Sequence, residues 1–417
     1  MREMKDSGIE WIGAIPQDWQ LSKIGSLYTQ RNEKVSDKEY QPLSVTMQGI
    51  LPQLATAAKT DDGDNRKLVR VGDFAINSRF DRRGSCGISP LDGSVSLINI
   101  ILTPRTAMHP GYYNWLFHTT LFADEFYKWG HGIVADLWTT RWQEMKSITV
   151  PVPEYAEQER IAAFLDAECA EIDAVLEKTR ASIEEYKKLK QAVITQAVTN
   201  GVRGDRPMKD SGIEWIGEIP AEWEIKRVKN ICSLKTGSTP STGNAEWFNG
   251  DLLWFTPGDF NEKFVLSSSN RTLSRTAEKD GVATIIPANS VLVVCIGGTA
   301  GKVGYTNYGC SCNQQITALC KSNIIPKLLM YDVNAGMPFL RNTTMFTTLP
   351  ILNNQEIGDL VLPIPREEEQ LSIIEYLDEK CAGIDALIAK KQQYLTEIEN
   401  YKKSLIYEYV TGKKEVV

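Results

Sequence analysis

The chain has 417 residues, enough for two or more domains with cores of their own, and its 24% of charged residues is ordinary for a soluble globular protein. It contains no apolar run long enough to span a bilayer, and its N-terminus lacks the apolar stretch of a signal peptide, so we expect a cytoplasmic protein. The eight cysteines are scattered without a zinc-binding spacing, which predicts reduced thiols and no metal site, and the net charge of −7 does not by itself indicate a nucleic-acid partner.

Two segments of the chain occur twice. Residues 4–16 return as residues 208–220 with 12 identities in 13 positions. Residues 151–199 align without gaps on residues 363–411 and share many of their residues with them. The stretches between the repeated segments show little similarity from one copy to the other. This pattern indicates one frame, used twice, that carries two different inserts.

The charge is distributed unevenly between the frame and the inserts. Residues 20–150 contain 15 Lys and Arg against 13 Asp and Glu, and residues 224–362 contain 12 against 10, so each insert is +2. The repeated segments 154–200 and 366–412 each contain 6 basic and 10 acidic side chains, so each is −4. Phosphate binding depends on local clusters of Lys and Arg, and the basic bias of the inserts therefore gives only weak support for DNA contact.

The first insert is predicted to mix short strands with helices. Residues 68–76 indicate strands with a Gly-Asp turn, and the aromatic-rich residues 111–129 indicate helix that is mostly buried. Arginine is the commonest bidentate reader of guanine, and asparagine reads adenine. Each polar residue of the following loop, taken singly, also fits a solvated loop or a turn-stabilising network. As a set we predict DNA contacts for Asn77, Ser78, Arg79, Arg82, Arg83 and Ser85.

Residues 154–200 are predicted to form the first long helix. The segment has no internal proline, prolines precede it and a glycine follows it. Apolar residues recur at alternating spacings of four and three, which is typical of a coiled-coil seam. The predicted seam of this helix includes Leu165, Ile172, Leu176 and Ile183.

The second insert also indicates a mixed domain, with strands predicted at 283–286 and 291–296. Residues 297–302 resemble a phosphate-binding loop, but Ile296 stands where that motif needs glycine and Val303 where it needs Ser or Thr, so we reject ATP binding. The same loop offers backbone amides and a lysine to DNA phosphate, and the amides that follow it suit base edges. The predicted DNA contacts here are Thr299, Lys302, Asn313, Gln314 and Gln315.

Residues 366–412 repeat the first long helix, with a seam of equal length and register. We expect the two helices to pair as an antiparallel coiled coil with one insert at each end; the alternative is two amphipathic helices that each pack on their own domain. The seam from 165 to 197 rises about 48 Å, and one turn of B-DNA is roughly 34–36 Å. The pair could hold two readers about one turn apart. The seam of this helix includes Leu377, Ile384, Ile388 and Leu395.

Motifs for catalysis are missing from the sequence. The three histidines all lie in the first insert, whereas a duplicated enzyme that relied on histidine would carry one in each half. The sequence has no dinucleotide-binding glycine motif after a strand and no Asn-Pro-Pro-aromatic tetrapeptide of an amino-methyltransferase. We therefore expect a chain that is not itself an enzyme.

The repeated frame resembles the specificity subunits of type I restriction-modification systems. Residues 6–19 and 210–223 are similar to the segment that leads into the family's target-recognition domains. Residues 71–88 look like one type of recognition domain, and residues 256–259 and 298–302 look like another. The transition into the family's helix is matched twice, by Pro151, Pro153, Glu157, Gln158, Ile161, Leu165 and Asp166, and by Pro363, Pro365, Glu369, Gln370, Ile373, Leu377 and Asp378.

The resemblance implies an α+β fold with a pseudo-twofold internal repeat. Two mixed α/β target-recognition domains would be joined by two long helices that form an antiparallel coiled coil. The corresponding boundaries are a first recognition domain at 1–153, a central helix at 154–203, a second recognition domain at 204–365 and a C-terminal helix at 366–417.

The function implied by the resemblance is non-catalytic, sequence-specific binding of double-stranded DNA. Each recognition domain would read one half of a bipartite, gapped target, and the helices would set the gap and dock two methyltransferase subunits. Those subunits would bind S-adenosylmethionine, and restriction subunits would bring ATP and magnesium, so this chain would hold no cofactor. The alternative is a non-catalytic scaffold that bridges protein partners through its duplicated helices. A self-sufficient nuclease or methyltransferase is disfavoured by the missing motifs.

Overall fold

The computed structural model describes residues 2–53, 63–133, 138–261, 264–343 and 351–416 of the chain, which forms two compact units. The first unit comprises Met1–Ala181 together with Gln392–Val417, and the second comprises Ser182–Lys391. Each unit therefore contains one insert and a part of both long helices.

The first unit consists of short strands, short helices and one long helix that continues into the second unit. Its strands are β1 (Met4–Asp6), β2 (Ala14–Pro16), β3 (Gln20–Lys23), β4 (Tyr28–Arg31), β5 (Lys34–Val35), β6 (Leu43–Thr46), β7 (Gly49–Pro52), β8 (Arg66–Val69), β9 (Phe74–Asn77), β10 (Cys86–Ile88), β11 (Gly93–Val95), β12 (Asn99–Pro104) and β13 (Thr149–Val152). Its helices are α1 (Ile24–Leu27), α2 (Pro110–Phe117), α3 (Thr120–Lys128), α4 (Trp142–Met145) and α5 (Tyr155–Asn200).

The second unit follows the same plan with different inserted elements. Its strands are β14 (Met208–Asp210), β15 (Glu218–Pro220), β16 (Glu224–Arg227), β17 (Ser233–Thr236), β18 (Phe248–Phe255), β19 (Arg271–Leu273), β20 (Ser290–Val294), β21 (Val303–Thr306), β22 (Ser311–Cys312), β23 (Ile316–Cys320) and β24 (Val361–Ile364). Its helices are α6 (Val228–Ile231), α7 (Arg275–Lys279), α8 (Pro326–Thr343), α9 (Asn354–Asp359) and α10 (Glu367–Val410).

The sheets show that the frame is duplicated. In both units a short hairpin comes first, β1–β2 or β14–β15, with Met4 opposite Pro16 and Met208 opposite Pro220. In both units the strand before the long helix then pairs antiparallel with an early strand, β13 with β3 and β24 with β16. The inserts differ in strand order: the main sheets run β10-β9-β12-β4 and β17-β23-β20-β21. The predicted mixed fold with an internal repeat is confirmed.

The predicted helices and strands are confirmed with two exceptions. The helical segment 111–129 is interrupted, because Thr119 caps α3 by accepting a hydrogen bond from the N–H of Phe122 at 3.2 Å. The strand predicted at 283–286 is wrong: only Ile286 forms an isolated bridge there, because the N–H of Thr284 instead bonds the hydroxyl of Ser238 at 2.9 Å.

The two long helices run antiparallel within each unit. In the first unit, Lys402 donates to both carboxylate oxygens of Asp173 at 2.7 Å. In the second unit, Lys190 donates to Asp385 at 2.8 and 2.7 Å. These two ion pairs join equivalent residues of the repeat. As α5 advances from 173 to 180 in the first unit, its partners on α10 run back from 402 to 399, where Arg180 donates to Glu399 at 2.6 Å. In the second unit Tyr186 lies under Lys391, and four residues later Lys190 meets Asp385. Six seam residues are buried, whereas Ile172 and Leu395 are half-buried; the buried ones are Leu165, Leu176, Ile183, Leu377, Ile384 and Ile388.

A glutamate, buried at position 369 and half-buried at position 157, fastens each hairpin to the start of its helix. Glu369 accepts hydrogen bonds from Arg206 at 2.6 Å and from the indole nitrogen of Trp223 at 2.8 Å. The equivalent Glu157 accepts from Arg2 and from the indole of Trp19 at 2.9 Å. An indole N–H that is buried requires such an acceptor. The repeated tryptophan and glutamate therefore persist for a structural reason.

The glutamine that follows each of these glutamates fastens the insert. The side-chain oxygen of Gln158 accepts from the N–H of His109, one residue before α2, at 2.9 Å, and its amide donates to Pro153 at 2.8 Å. Gln370 does the same with the N–H of Ile325, one residue before α8, at 3.0 Å. The first helical position of both α2 and α8 is a proline, which has no N–H to bond.

The cysteines lie inside the fold. All eight fall in the described ranges, where each is free and buried. Burial raises the pKa of both Cys169 and Cys381 to about 11, so their thiols stay protonated at neutral pH. No helix in the described part of the chain is long and apolar enough to cross a membrane.

Candidate nucleic-acid interface

In the first unit, the loop predicted to contact DNA closes the hairpin between β9 and β10. Ile76 of β9 pairs with Cys86 of β10, and the N–H of Asn77 donates to the carbonyl of Ser85 at 2.9 Å. A short 3-10 turn, Phe80–Arg82, reverses the chain between them, and Ser85 is buried. Because the ladder fixes both of its ends, the loop is held at one end of the four-stranded sheet.

Asn77 and Ser78 give this loop its shape. Asn77 is buried, and its Oδ1 accepts from the N–H of Arg79 at 3.0 Å. The hydroxyl of Ser78 donates to the carbonyl of Ile98 at 2.5 Å. The hydroxyl of Tyr127 donates to the carbonyl of Asn77 at 2.9 Å, and burial raises the pKa of Tyr127, so the donor keeps its proton. The exposed chemistry of the loop therefore comes from its arginines.

The three arginines differ in how free their charge is. Arg83 is bound to the carboxylate of Asp124. The side chain of Arg82 is 67% exposed, and its ion-pair partner among the described residues is the neighbouring Asp81 at 3.7 Å. Arg79 is half-buried, and within the described ranges its guanidinium has no hydrogen-bond or ion-pair partner. The loop thus presents Arg79 and Arg82 as the side chains best able to bind a phosphate or a base edge.

In the second unit, the fold brings the two predicted loops together. Strands β20 and β23 are antiparallel neighbours with Val294 opposite Ile316. The glycine-rich loop leaves the end of β20 and the amide-rich segment precedes β23. The N–H of Cys295 donates to the carbonyl of Gln315 at 2.7 Å. The loops therefore lie side by side at one edge of the sheet, although they are separated in sequence.

The amide-rich segment divides into supporting and exposed residues. Asn313 is buried; its Nδ2 donates to Oε1 of Gln315 at 3.0 Å, and its Oδ1 accepts from the N–H of Gln315 at 3.1 Å. Gln314 is exposed, and its side-chain oxygen accepts from the hydroxyl of Thr239. Of the three amides, Gln314 presents the most accessible donor, because its Nε2 remains directed away from this bond.

The glycine-rich loop keeps its backbone open. A Cβ added to Gly297 or Gly298 would meet nothing within 4 Å, so the main chain there is accessible. Thr299 is half-buried, and its carbonyl accepts from the N–H of Lys302 at 3.2 Å. The ammonium of the exposed Lys302 donates to the neutral carbonyl of Phe260 at 3.0 Å, and no ion pair compensates its charge within the described ranges.

The structure adds residues to this interface that the sequence analysis missed. The N–H of Ser238 donates to the carbonyl of Cys312 at 2.8 Å, which lays the Ser/Thr-rich stretch around Thr239 beside the amide segment. Arg341, at the end of α8, packs its stem on the glycine-rich loop: a Cβ on Gly301 would lie 2.7 Å from its Cδ. The Ser/Thr-rich stretch around Thr239 is visible in the sequence and could have been included among the predicted contacts. No local pattern indicates Arg341, because the tertiary fold alone brings it to the glycine-rich loop.

Groups suited to metal chemistry are not assembled here. Across the described ranges, no three or more His, Cys, Asp and Glu side chains are grouped so that they could hold a metal ion. Nδ1 of the half-buried His118 donates to the carbonyl of Asn114 at 2.7 Å, and burial lowers the pKa of this imidazole.

Comparison with known proteins gives a consistent family signal. The family described as "Type I restriction modification DNA specificity domain" matches residues 220–399. The specificity subunit of the type I restriction enzyme MjaIX from Methanocaldococcus jannaschii is 28% identical over 177 residues, which are 39% of this chain and 40% of that protein. The MjaVIII specificity subunit from the same organism is 24% identical over 298 residues, or 65% of this chain and 63% of that protein. The alignments thus span less than two thirds of either relative.

A solved structure has a similar fold. It was determined in a study of complex assembly and conformational transition of the type I R-M system, and it matches with a TM-score of 0.72 at 15% identity, covering 96% of this chain and 99% of that one. At this identity the match concerns the fold alone.

Proposed function

We propose that the chain is the DNA-reading subunit of a type I restriction-modification complex, because residues 220–399 match the DNA specificity domain of that family and the similar MjaIX and MjaVIII proteins are specificity subunits. The observation that carries the proposal is the duplicated frame with two unrelated loop sets. A frame repeated at equivalent positions implies the same structural role in both units, whereas different loops imply different targets. Each unit then recognises one half of a bipartite, gapped DNA sequence.

The chemistry of the loops supports this assignment. Arg79 and Arg82 in the first unit, and Gln314 and Lys302 in the second, are exposed or half-exposed groups of the kinds that bind base edges and phosphates. Buried neighbours such as Asn77 hold the backbone beneath them. A rigid support with a few exposed donors is what selective readout requires, since each misplaced donor weakens a bidentate contact.

The partners follow from the same proposal. The two antiparallel helices set the gap between the half-sites and dock two methyltransferase subunits, with restriction subunits joining the assembly. The chain itself is non-catalytic and works in the cytoplasm. S-adenosylmethionine, ATP and magnesium are bound by the partner subunits and not by this chain.

Methylation mapping tests the proposal. The chain is co-expressed with a cognate methyltransferase subunit in a host without DNA methylation, and modified adenines are mapped by long-read sequencing. We expect a gapped, two-part motif that is absent when this chain is omitted. A complex that assembles without new methylation would instead favour the scaffold function.

Exchange of a single insert tests whether each unit reads its half of the target independently. Replacing residues 20–150 with the insert of another specificity subunit should change only one half of the methylated motif. A change in both halves would contradict independent reading by the two units.

A further inference from the structure

A polar groove in the second unit adjoins the glycine-rich loop. One cavity of 550 Å³ lies between Gly301, Gln191 of α5 and Arg341 at the end of α8. A second cavity of 210 Å³ includes Lys302 and shares Gln191 and Asn334 with the first, so the two lie side by side. We name the combined space the basic groove and define it by Gln191, Lys302, Asn334 and Arg341.

Within the described ranges, the groove contains two positive charges without a carboxylate partner. Arg341 is exposed and, among the residues that the structure describes, has neither a hydrogen bond nor an ion pair. Lys302, among the same residues, bonds a neutral carbonyl. By contrast, Lys190, which lines the second cavity, is neutralised by Asp385 at 2.7 Å.

Arg341 lies against the glycine-rich loop. A Cβ on Gly301 would lie 2.7 Å from the Cδ of Arg341, and Gly301 has a φ of +88°, so glycine at this position lets the arginine stem approach the main chain. The helix that carries Arg341 is anchored to α5: Pro338 has no N–H for the carbonyl of Asn334, and Nε2 of Gln191 donates to that carbonyl at 3.4 Å. An exposed cation with no carboxylate partner in the described ranges is suited to an anion supplied from outside.

We infer that the basic groove binds the phosphate backbone of the DNA whose bases are read by the second unit. Arg341 and Lys302 each contact phosphate, and the amide of Gln191 lines the floor. This inference rests on the proposed function and adds to it a contact that positions the duplex without reading its sequence. Base reading remains with the neighbouring segment that contains Gln314.

A salt titration of DNA binding tests the inference. Arg341→Ala is compared with the unmodified chain, each assembled with its methyltransferase subunits, by fluorescence anisotropy between 50 and 200 mM salt as in standard titrations. Loss of one phosphate contact should reduce the slope of log K against log[salt] by about 0.9. Affinity should fall by about 3- to 10-fold at low salt, equally for target and non-target DNA, and the methylated motif should not change.

Two matched variants complete the experiment. Arg341→Lys keeps the charge and should keep the slope. Arg227→Ala removes an arginine from the same unit that is paired with Asp359 at 3.3 Å, and it should also leave the slope unchanged.

Three results distinguish a wrong assignment of the groove from a wrong proposed function. An unchanged slope and affinity for Arg341→Ala, in a complex that methylates its motif normally, would overturn the groove assignment. A changed motif would also overturn it, because Arg341 would then read a base. Absence of any motif with the unmodified chain would instead refute the proposed function.

Discussion

Replacement of Glu369 with alanine should destabilise the second unit by about 3 kcal/mol. The side chain is 4% exposed and serves two donors, the guanidinium of Arg206 and the indole of Trp223. Leaving the buried indole N–H without an acceptor costs about 1–3 kcal/mol. Loss of one partner from a fully buried ion pair costs about 3–5 kcal/mol. Arg206 keeps the carbonyl of Asn200 at 2.8 Å and a carboxylate of Glu222 at 3.4 Å, so we take only about 1–2 kcal/mol for it.

Hydrogen exchange followed by mass spectrometry is the suitable assay, because the two units can open separately. The hairpin at residues 208–220 and the first turns of α10 should lose protection equivalent to about 3 kcal/mol, or roughly a hundredfold faster exchange. Glu369→Gln keeps one acceptor and should lose about half as much. Glu367→Ala, at an exposed position two residues earlier, is the control and should change protection by about 0.5 kcal/mol or less.

The duplicated clamp supplies an internal comparison. Glu157 is 13% exposed and its Arg2 is 20% exposed, so solvent screens this pair more than the other. Glu157→Ala should therefore cost less than Glu369→Ala, about 2 kcal/mol. If the order were reversed, or if Glu369→Ala cost less than 1 kcal/mol, burial would not determine the strength of the clamp and the reasoning would fail.

Three further predictions concern the loops, a buried acid and the thiols. Arg82→Ala should weaken DNA binding about 10-fold or alter one half of the methylated motif. Arg83→Ala should have a smaller effect, because Asp124 already neutralises that guanidinium. Methylation mapping of both variants tests this difference. Burial raises the pKa of Asp332, whose carboxylate has no hydrogen-bond partner within the described ranges. The folded state therefore binds this proton more tightly than the unfolded state does. The unfolding free energy consequently falls as the pH rises from about 4 towards the raised pKa. Asp332→Asn should therefore raise the melting temperature at pH 8 more than at pH 4, and equal shifts at both would contradict the assignment. Cys381, with a pKa of about 11, should resist iodoacetamide at pH 8 in the folded protein and react after unfolding; rapid labelling of the native chain would show that the thiol is accessible.

The frame was largely predictable because its signals are local and occur twice. Proline, the glutamate–glutamine pair and the apolar spacing each indicate the start or the face of a helix without reference to distant residues, and α5 and α10 follow them closely. The candidate site was predictable only as a list of loops. That Cys295 bonds Gln315, and so joins two loops, depends on the pairing of β20 with β23, which no local pattern encodes.

The sequence could not predict which loop residues are exposed to solvent, for a similar reason. Asn77 and Arg82 are both polar loop residues, but the hairpin buries the first in a turn and leaves the second in solvent. The strand predicted at 283–286 did not form because the N–H of Thr284 bonds the hydroxyl of Ser238 instead of a neighbouring strand. In each case a long-range contact decides between two locally acceptable conformations.

The bonds of Gln158 and Gln370 set a practical rule for building chimaeras of this chain. The side-chain oxygen of each glutamine accepts a hydrogen bond from the backbone N–H of the residue immediately before a helix that begins with proline. Any residue type except proline supplies such an N–H. A transplanted insert therefore need not match the recipient in the side chain at this joint. A graft that preserves this one amide and the proline after it keeps the connection to the long helix, whereas a graft displaced by a single residue loses it.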